Sequence, residues 1–95
     1  MTKKPLEWTR SALDDFSAQL VWVYDQNIID PERVRQRVER TLGLIASHPG
    51  IGTPGRRAGT REWPVKDSPL TLVYRVFPEK VSIVAVVHQR ASYGG

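Results

Sequence analysis

The feature that most constrains this chain is a change of hydrophobic period near its middle. Up to His48 the apolar residues recur at helical spacing; from Arg61 onward they alternate one by one. Leu13, Phe16, Leu20 and Tyr24 fall on one stripe of a first helix, which Ser11-x-x-Asp14 opens as a capping box and which runs to about Asn27. Asp30-Pro31 is a second start signal, with Asp as N-cap and Pro at the first helical position. Val34, Val38, Leu42 and Ile45 give the next stripe, and His48-Pro49-Gly50 ends it. With so few residues between them, the two helices are expected to form an antiparallel hairpin.

The alternating half holds three strand candidates, Arg61–Lys66, Leu70–Phe77 and Lys80–Val87, with turns at Asp67-Ser68-Pro69 and Pro78-Glu79. Lys4 to Trp8 read as a short first strand, Pro5 suiting its start or an exposed edge. This order predicts an α+β fold, β-α-α-β-β-β. The N-terminal strand joins a small, mainly antiparallel sheet, and the helix hairpin packs on one face of it. One domain is expected over residues 1–95.

Alternation also assigns the sheet faces. Leu70, Leu72, Tyr74, Val76, Val81, Ile83, Ala85 and Val87 are expected against the helices. Thr71, Val73, Arg75, Ser82, Val84, Val86 and His88 are then expected on the opposite, open face. For the first hairpin two registers compete. One sets Arg61 against Arg75 and turns Glu62 and Lys66 into the core. The other sets Glu62 against Arg75 and turns Trp63 and Val65 inward, which matches opposite charges and buries apolar groups. The second is preferred, and it adds Glu62, Pro64 and Lys66 to the open face.

Composition narrows the function classes. The chain has no cysteine, which excludes disulfides and thiolate metal sites. His48 and His88 have no carboxylate in ligand spacing, and the glycines of residues 50–59 lack the Lys-Ser/Thr of a phosphate loop, so neither a metal nor a cofactor is called for. No apolar run suits a membrane span, and the first ten residues lack a signal-peptide core, so a cytoplasmic location is expected. The net charge of +4 lies wholly in the second half, because residues 1–48 carry seven basic and seven acidic side chains and residues 49–95 seven against three. A basic half attracts polyanions or an acidic protein.

Gly59-Thr60-Arg61-Glu62, Leu72-Val73-Tyr74-Arg75-Val76 and Val87-His88 together resemble the strand signature of the RelE/ParE toxin superfamily. The resemblance spans nearly the whole chain and implies a toxin held in check by an antitoxin. Its RelE-type members are ribosome-dependent mRNA endonucleases, and its ParE-type members, known from plasmid stabilisation, bind DNA gyrase without covalent chemistry. RelE-type nucleases typically carry an Arg where this chain has Thr71, and lysines on the strand where it has Glu62 and Pro64. A phosphate-cleaving site without those cations lacks its main electrostatic stabilisation. The chain is therefore more similar to the ParE type, from which it departs in its tail, Gln89-Arg90-Ala91-Ser92-Tyr93-Gly94-Gly95, where the family commonly ends acidic-aromatic-Pro.

The candidate residues follow from these readings. His88, Arg90 and Tyr93 are the acid, base and cation candidates of the nuclease alternative. For contact with gyrase or another polyanion the candidates are Arg56, Arg57, Arg61, Lys66, Arg75, His88 and Arg90. Arg56 and Arg57 lead them, because a glycine-rich loop is expected to adapt to a partner. Arg33, Arg37 and Arg40 share one side of the second helix and read chiefly as a solvated face. An acidic, partly disordered antitoxin is the expected partner, giving a hetero-oligomer, and Trp22, which lies off the first helix's stripe, is a candidate contact. A non-toxic binding module descended from such a toxin is the third alternative.

Overall fold

A computed structural model of the chain describes residues 3–27 and 29–89. Strand β1 (Leu6–Trp8) leads into helix α1 (Arg10–Gln26) and helix α2 (Pro31–Ser47). A 3-10 turn at Pro49–Ile51 follows, then strands β2 (Thr53–Pro54), β3 (Arg61–Pro64), β4 (Leu70–Val76) and β5 (Val81–His88). The five strands form one sheet in the order β1-β5-β4-β3-β2, antiparallel except where β1 runs parallel to β5. The α+β architecture is the one the change of period predicts. β2 is an addition: Thr53 and Pro54 pair with Glu62 and Arg61 inside the glycine-rich segment. Pro54 fits there because an outermost strand needs no donor on its free side.

The helix caps follow local chemistry. Asp30 accepts from the Glu32 amide at 2.9 Å, with Pro31 in the first turn, as its spacing predicts. The first cap is Thr9, not Ser11. Its hydroxyl accepts from the Ala12 amide at 3.1 Å, and its own amide donates to the Ile83 carbonyl at 3.1 Å. Both residues have capping side chains; the end of β1 selects the one already held on the sheet.

The core lies between the helix pair and one sheet face. Val34, Val38 and Ile45 of α2 are buried with Leu70, Leu72, Tyr74, Val81 and Ile83, as the stripe of α2 predicts. Each such side chain contributes about 1.5–3 kcal/mol of apolar burial. The stripe of α1 is rotated from its expected position. Ala12 and Val23 are its buried residues, Phe16 and Leu20 are partly buried, while Leu13 and Tyr24 are 47% and 72% exposed. Apolar residues surround much of α1, so spacing alone admits several faces. Close packing on β5 selects the face carrying the small Ala12.

The largest departure is in β5. Val73 pairs with Ala85, but the next residue, Tyr74, pairs with Ile83, so Val84 is an extra residue in a β-bulge. One extra residue exchanges the two faces beyond it. Leu72 stands opposite Val86, and Leu70 opposite His88. Val86 and His88 are therefore on the helix side, not the open face, while Ala85 and Val87 take the open side. The Val86 amide, past the end of β1, donates to the Asp15 carboxylate of α1 at 3.2 Å, which anchors the bulge to the helix.

In the first hairpin the faces are as expected, with Trp63 opposite Leu72, but the register is displaced by two residues. Glu62 stands opposite Val73 and Arg61 opposite Tyr74, leaving Arg75 a diagonal neighbour of Glu62. Strand β2, which sequence reading did not include, pairs with the same Arg61 and Glu62 from the other side. No helix among the described residues is long and apolar enough to cross a membrane.

Candidate functional site

The open face is less open than alternation implies. Val73, Ser82 and Ala85 are buried there, and only Thr71, Arg75, Val84 and Val87 retain partial exposure along β4 and β5. Of the three valines expected on this face, Val73 is covered and the bulge turns Val86 inward, while Val84 keeps partial exposure. Glu62 is half-buried and Pro64 exposed on this face, so the cations of a phosphate-cleaving sheet are absent at both.

His88, expected on that face, instead lies on the helix side. Its ring meets the Trp22 indole edge-on, with centroids 4.8 Å apart and planes at 75°. Trp22 is 42% exposed, on the side of α1 away from Leu13 and Tyr24. The two rings line a cleft of about 540 Å³ with Val23, Ile29, Pro69 and Gln89. Arg90 and Tyr93 lie outside the described residues.

The glycine-rich segment is pinned rather than adaptable. The Gly55 amide donates to the Thr60 carbonyl at 2.8 Å, and both the amide and hydroxyl of Thr60 donate to the Arg57 carbonyl. The Arg56 amide donates to the Glu62 carboxylate at 2.9 Å. Arg61 donates to the Gly52 carbonyl at 2.6 Å, and Arg75 to the Ala58 carbonyl at 3.1 Å. Beneath the segment, the Gly52 amide donates to the Tyr74 hydroxyl at 2.9 Å, which in turn donates to the Pro49 carbonyl at 2.8 Å. Burial raises the Tyr74 pKa, opposed by the Gly52 hydrogen bond and by the positive charge of Arg61. A Cβ at Gly52 would stand 2.5 Å from that hydroxyl, so the approach requires glycine. Gly59 takes φ 76°, a left-handed turn into β3 that glycine adopts without a Cβ clash. Arg61 and Arg75 thus act as struts. Arg56 and Arg57 present exposed side chains on a fixed loop.

Lys66 lies just past β3, beside α2. With Arg40, Thr41, Leu44, Trp63 and Pro64 it lines a second groove of about 660 Å³. Sequence reading did not single out Leu44 and Trp63, although Leu44 continues the line Arg33, Arg37, Arg40 at i, i+4, i+7 and i+11. That spacing was the available signal.

A two-helix hairpin laid on one face of a small, mainly antiparallel sheet, with basic and aromatic groups along its rims, is the architecture of RelE/ParE-fold toxins. Residues 6–93 match the family model described as the ParE toxin of the type II toxin–antitoxin system parDE, and the chain belongs to that family. A relative from Sinorhizobium fredii, named "Putative toxin Y4kP", is 30% identical over 88 residues, covering 93% of this chain and 91% of the relative. Among solved structures, the chromosomal ParDE system from P. aeruginosa superposes with TM-score 0.67 at 22% identity, over 90% of this chain and 96% of that one. The RelBE2 toxin–antitoxin complex from Mycobacterium tuberculosis gives TM-score 0.64 at 25% identity, over 93% of each chain. The intact E. coli RelBE toxin–antitoxin complex gives 0.63 at 19%, over 90% and 95%. The chain is a toxin of a type II toxin–antitoxin system with the RelE/ParE fold.

Proposed function

We propose that this toxin arrests growth by binding DNA gyrase, not by cleaving RNA, and that an acidic antitoxin silences it. The observation that carries the reading is the bulge at Val84. It takes His88 off the open face and seats it against Trp22, while Thr71, Glu62 and Pro64 stand where RelE-type nucleases carry cations that stabilise a phosphoryl transition state. Among the described residues that face presents shape and charge without an acid–base pair, which supports action by binding. The likeness to the ParE type supports gyrase as the target, and the basic second half supports an acidic partner.

Pulse-labelling of DNA and protein synthesis after induction in a bacterium without the antitoxin tests this. An early fall in DNA synthesis with translation continuing is expected. An immediate fall in translation would replace the reading with RNA cleavage and direct mutagenesis to His88, Arg90 and Tyr93. Harmless expression would indicate a non-toxic binding module.

A further inference from the structure

Helix α1 leaves one side without a partner. Ala12, Phe16 and Val23 turn toward the core, while Leu13, Ser17, Val21 and Tyr24 follow one another at i, i+4, i+8 and i+11 on another side. All four are exposed, Val21 to 61%. Trp22 belongs to the cleft it shares with His88, not to this line. From Leu13 to Tyr24 the line runs about 16 Å. Three large apolar side chains in register on a solvent face mark a contact surface.

The helix is also charged against its own dipole. It has no acid in its first turn and no base in its last. Arg10 stands instead at the N-terminal end, where the helix carries partial positive charge. Asp25 stands near the C-terminal end, where that charge is negative. Arg10 is held only by Asp14 at 3.7 Å, with both side chains largely in solvent. Asp25 takes part in no ion pair among the described residues. Helix α2, by contrast, carries Glu32 in its first turn.

A second α1 laid antiparallel against the first removes both mismatches. We propose that this side of α1 is a self-association surface, on which two copies of the chain pair about a two-fold axis at Ser17. In that arrangement Ser17 meets its twin, Leu13 meets Val21, and Arg10 meets Tyr24 and Asp25 of the other copy. The aspartate then lies beside a helix N-terminus and the arginine beside a C-terminus, as the dipole favours. The small Ser17 lets the two axes approach.

Charge decides the occupant. Helix α1 carries Asp14, Asp15 and Asp25 against Arg10, the reverse of the chain's net charge of +4. An acidic antitoxin segment or a nucleic acid would be repelled there, whereas an antiparallel copy is complementary. One helix pair covers less than the about 800 Å² per partner of a standard interface, so the dimer is weak and depends on concentration. The inference goes beyond the proposed function and does not rest on the choice of target.

The chain has no cysteine, so a single introduced thiol reports the contact without interference. With helix axes about 8–10 Å apart and Cα atoms about 2.3 Å from each axis, facing Cα atoms come within the about 4.4–6.8 Å that a disulfide spans. Ser17→Cys in the full chain is expected to give a covalent dimer under mild oxidation. Arg33→Cys, also exposed but on α2, is not. Sedimentation equilibrium from micromolar to millimolar concentration should show the average mass rising from that of one chain toward that of two. Val21→Glu should weaken association about tenfold or more, since its carboxylate would face Leu13. Arg10→Glu and Asp25→Arg should each weaken it about tenfold, because every pair occurs twice in such a contact, and the two changes together should restore it. Both single changes favour the isolated helix, so circular dichroism should show no loss of helix. A mass of one chain throughout, cross-linking of Arg33→Cys as fast as Ser17→Cys, or a double reversal no stronger than the single ones would overturn the proposal. So would a monomeric chain, labelled with nitrogen-15, whose Val21 amide moves when a leucine–glutamate helical peptide is added, which would assign the face to an acidic partner. None of these readouts involves growth arrest, so their failure leaves the proposed function standing.

Discussion

The glycine-rich segment and the outer side of α2 are both rich in arginine, yet the arginines have different roles. Around the loop, Arg61 and Arg75 donate to the carbonyls of Gly52 and Ala58, which lie outside any regular ladder. Each is half-buried and holds backbone in place. On α2 the backbone carbonyls are already used within the helix, so Arg33 and Arg40 remain exposed to solvent, Arg40 at the groove that Leu44 lines. A guanidinium near unsatisfied carbonyls becomes part of the fold; the same group on a completed helix stays available to a partner. Charge counted along a sequence does not separate these cases.

Substitutions can break or sharpen this contrast. The largest expected effect is at Gly52→Ala, whose methyl would meet the Tyr74 hydroxyl and the Glu62 carbonyl. A loss of about 3 kcal/mol is expected in urea denaturation, and a loss of under about 0.5 kcal/mol would mean the segment yields instead of being pinned.

Next comes Tyr74→Phe, which strands the Gly52 amide and the Pro49 carbonyl at about 2 kcal/mol. This residue also gives the segment a pH signature. Burial raises the tyrosine's pKa in the folded state above its ordinary value of 10.0. Its contribution is then fully present below about pH 10 and is lost as pH climbs through the raised folded value. Thermal denaturation followed from pH 8 to 11 should show an alkaline decline in the wild type that is smaller in Tyr74→Phe. Parallel declines would assign the effect to other groups.

Arg61→Met should cost about 1.5 kcal/mol through its hydrogen bond to Gly52. Arg40→Ala and Arg33→Ala should change stability by no more than about 0.5 kcal/mol, since neither holds a structural partner among the described residues. If Arg40→Ala proves as costly as Arg61→Met, the distinction between struts and free cations fails.

Most of the element order was legible because it depends on local chemistry. Asp30-Pro31, the stripe of α2 and the turns around Pro69 and Pro78 act within a few residues of themselves. The candidate site was legible only in part. The shared side of Arg33, Arg37 and Arg40 could be read from helical spacing, whereas the exposure of Trp22 could not, because the stripe it was measured against is rotated in α1. The position of His88 could not. It depends on one extra residue, Val84, in a run of alternating valines that gives no local sign of a bulge. The buried side of α1 was ambiguous for a related reason, since apolar residues nearly encircle it. The fixed loop was misjudged because its anchors, Tyr74 and Arg75, lie some twenty residues away in sequence.

The sequence by itself determined two helices followed by hairpins, the faces of β3, the ends of α2 and membership of a toxin family. All of these rest on side-chain period, capping chemistry or short motifs, which are properties of neighbouring residues. Tertiary structure decided the register of β3, the inward turn of Val86 and His88, the pinning of the glycine-rich segment and the groove under Leu44 and Trp63. Each of these depends on which backbone groups and surfaces meet across the sheet, and such meetings are settled by satisfying hydrogen bonds and packing the core together, not residue by residue.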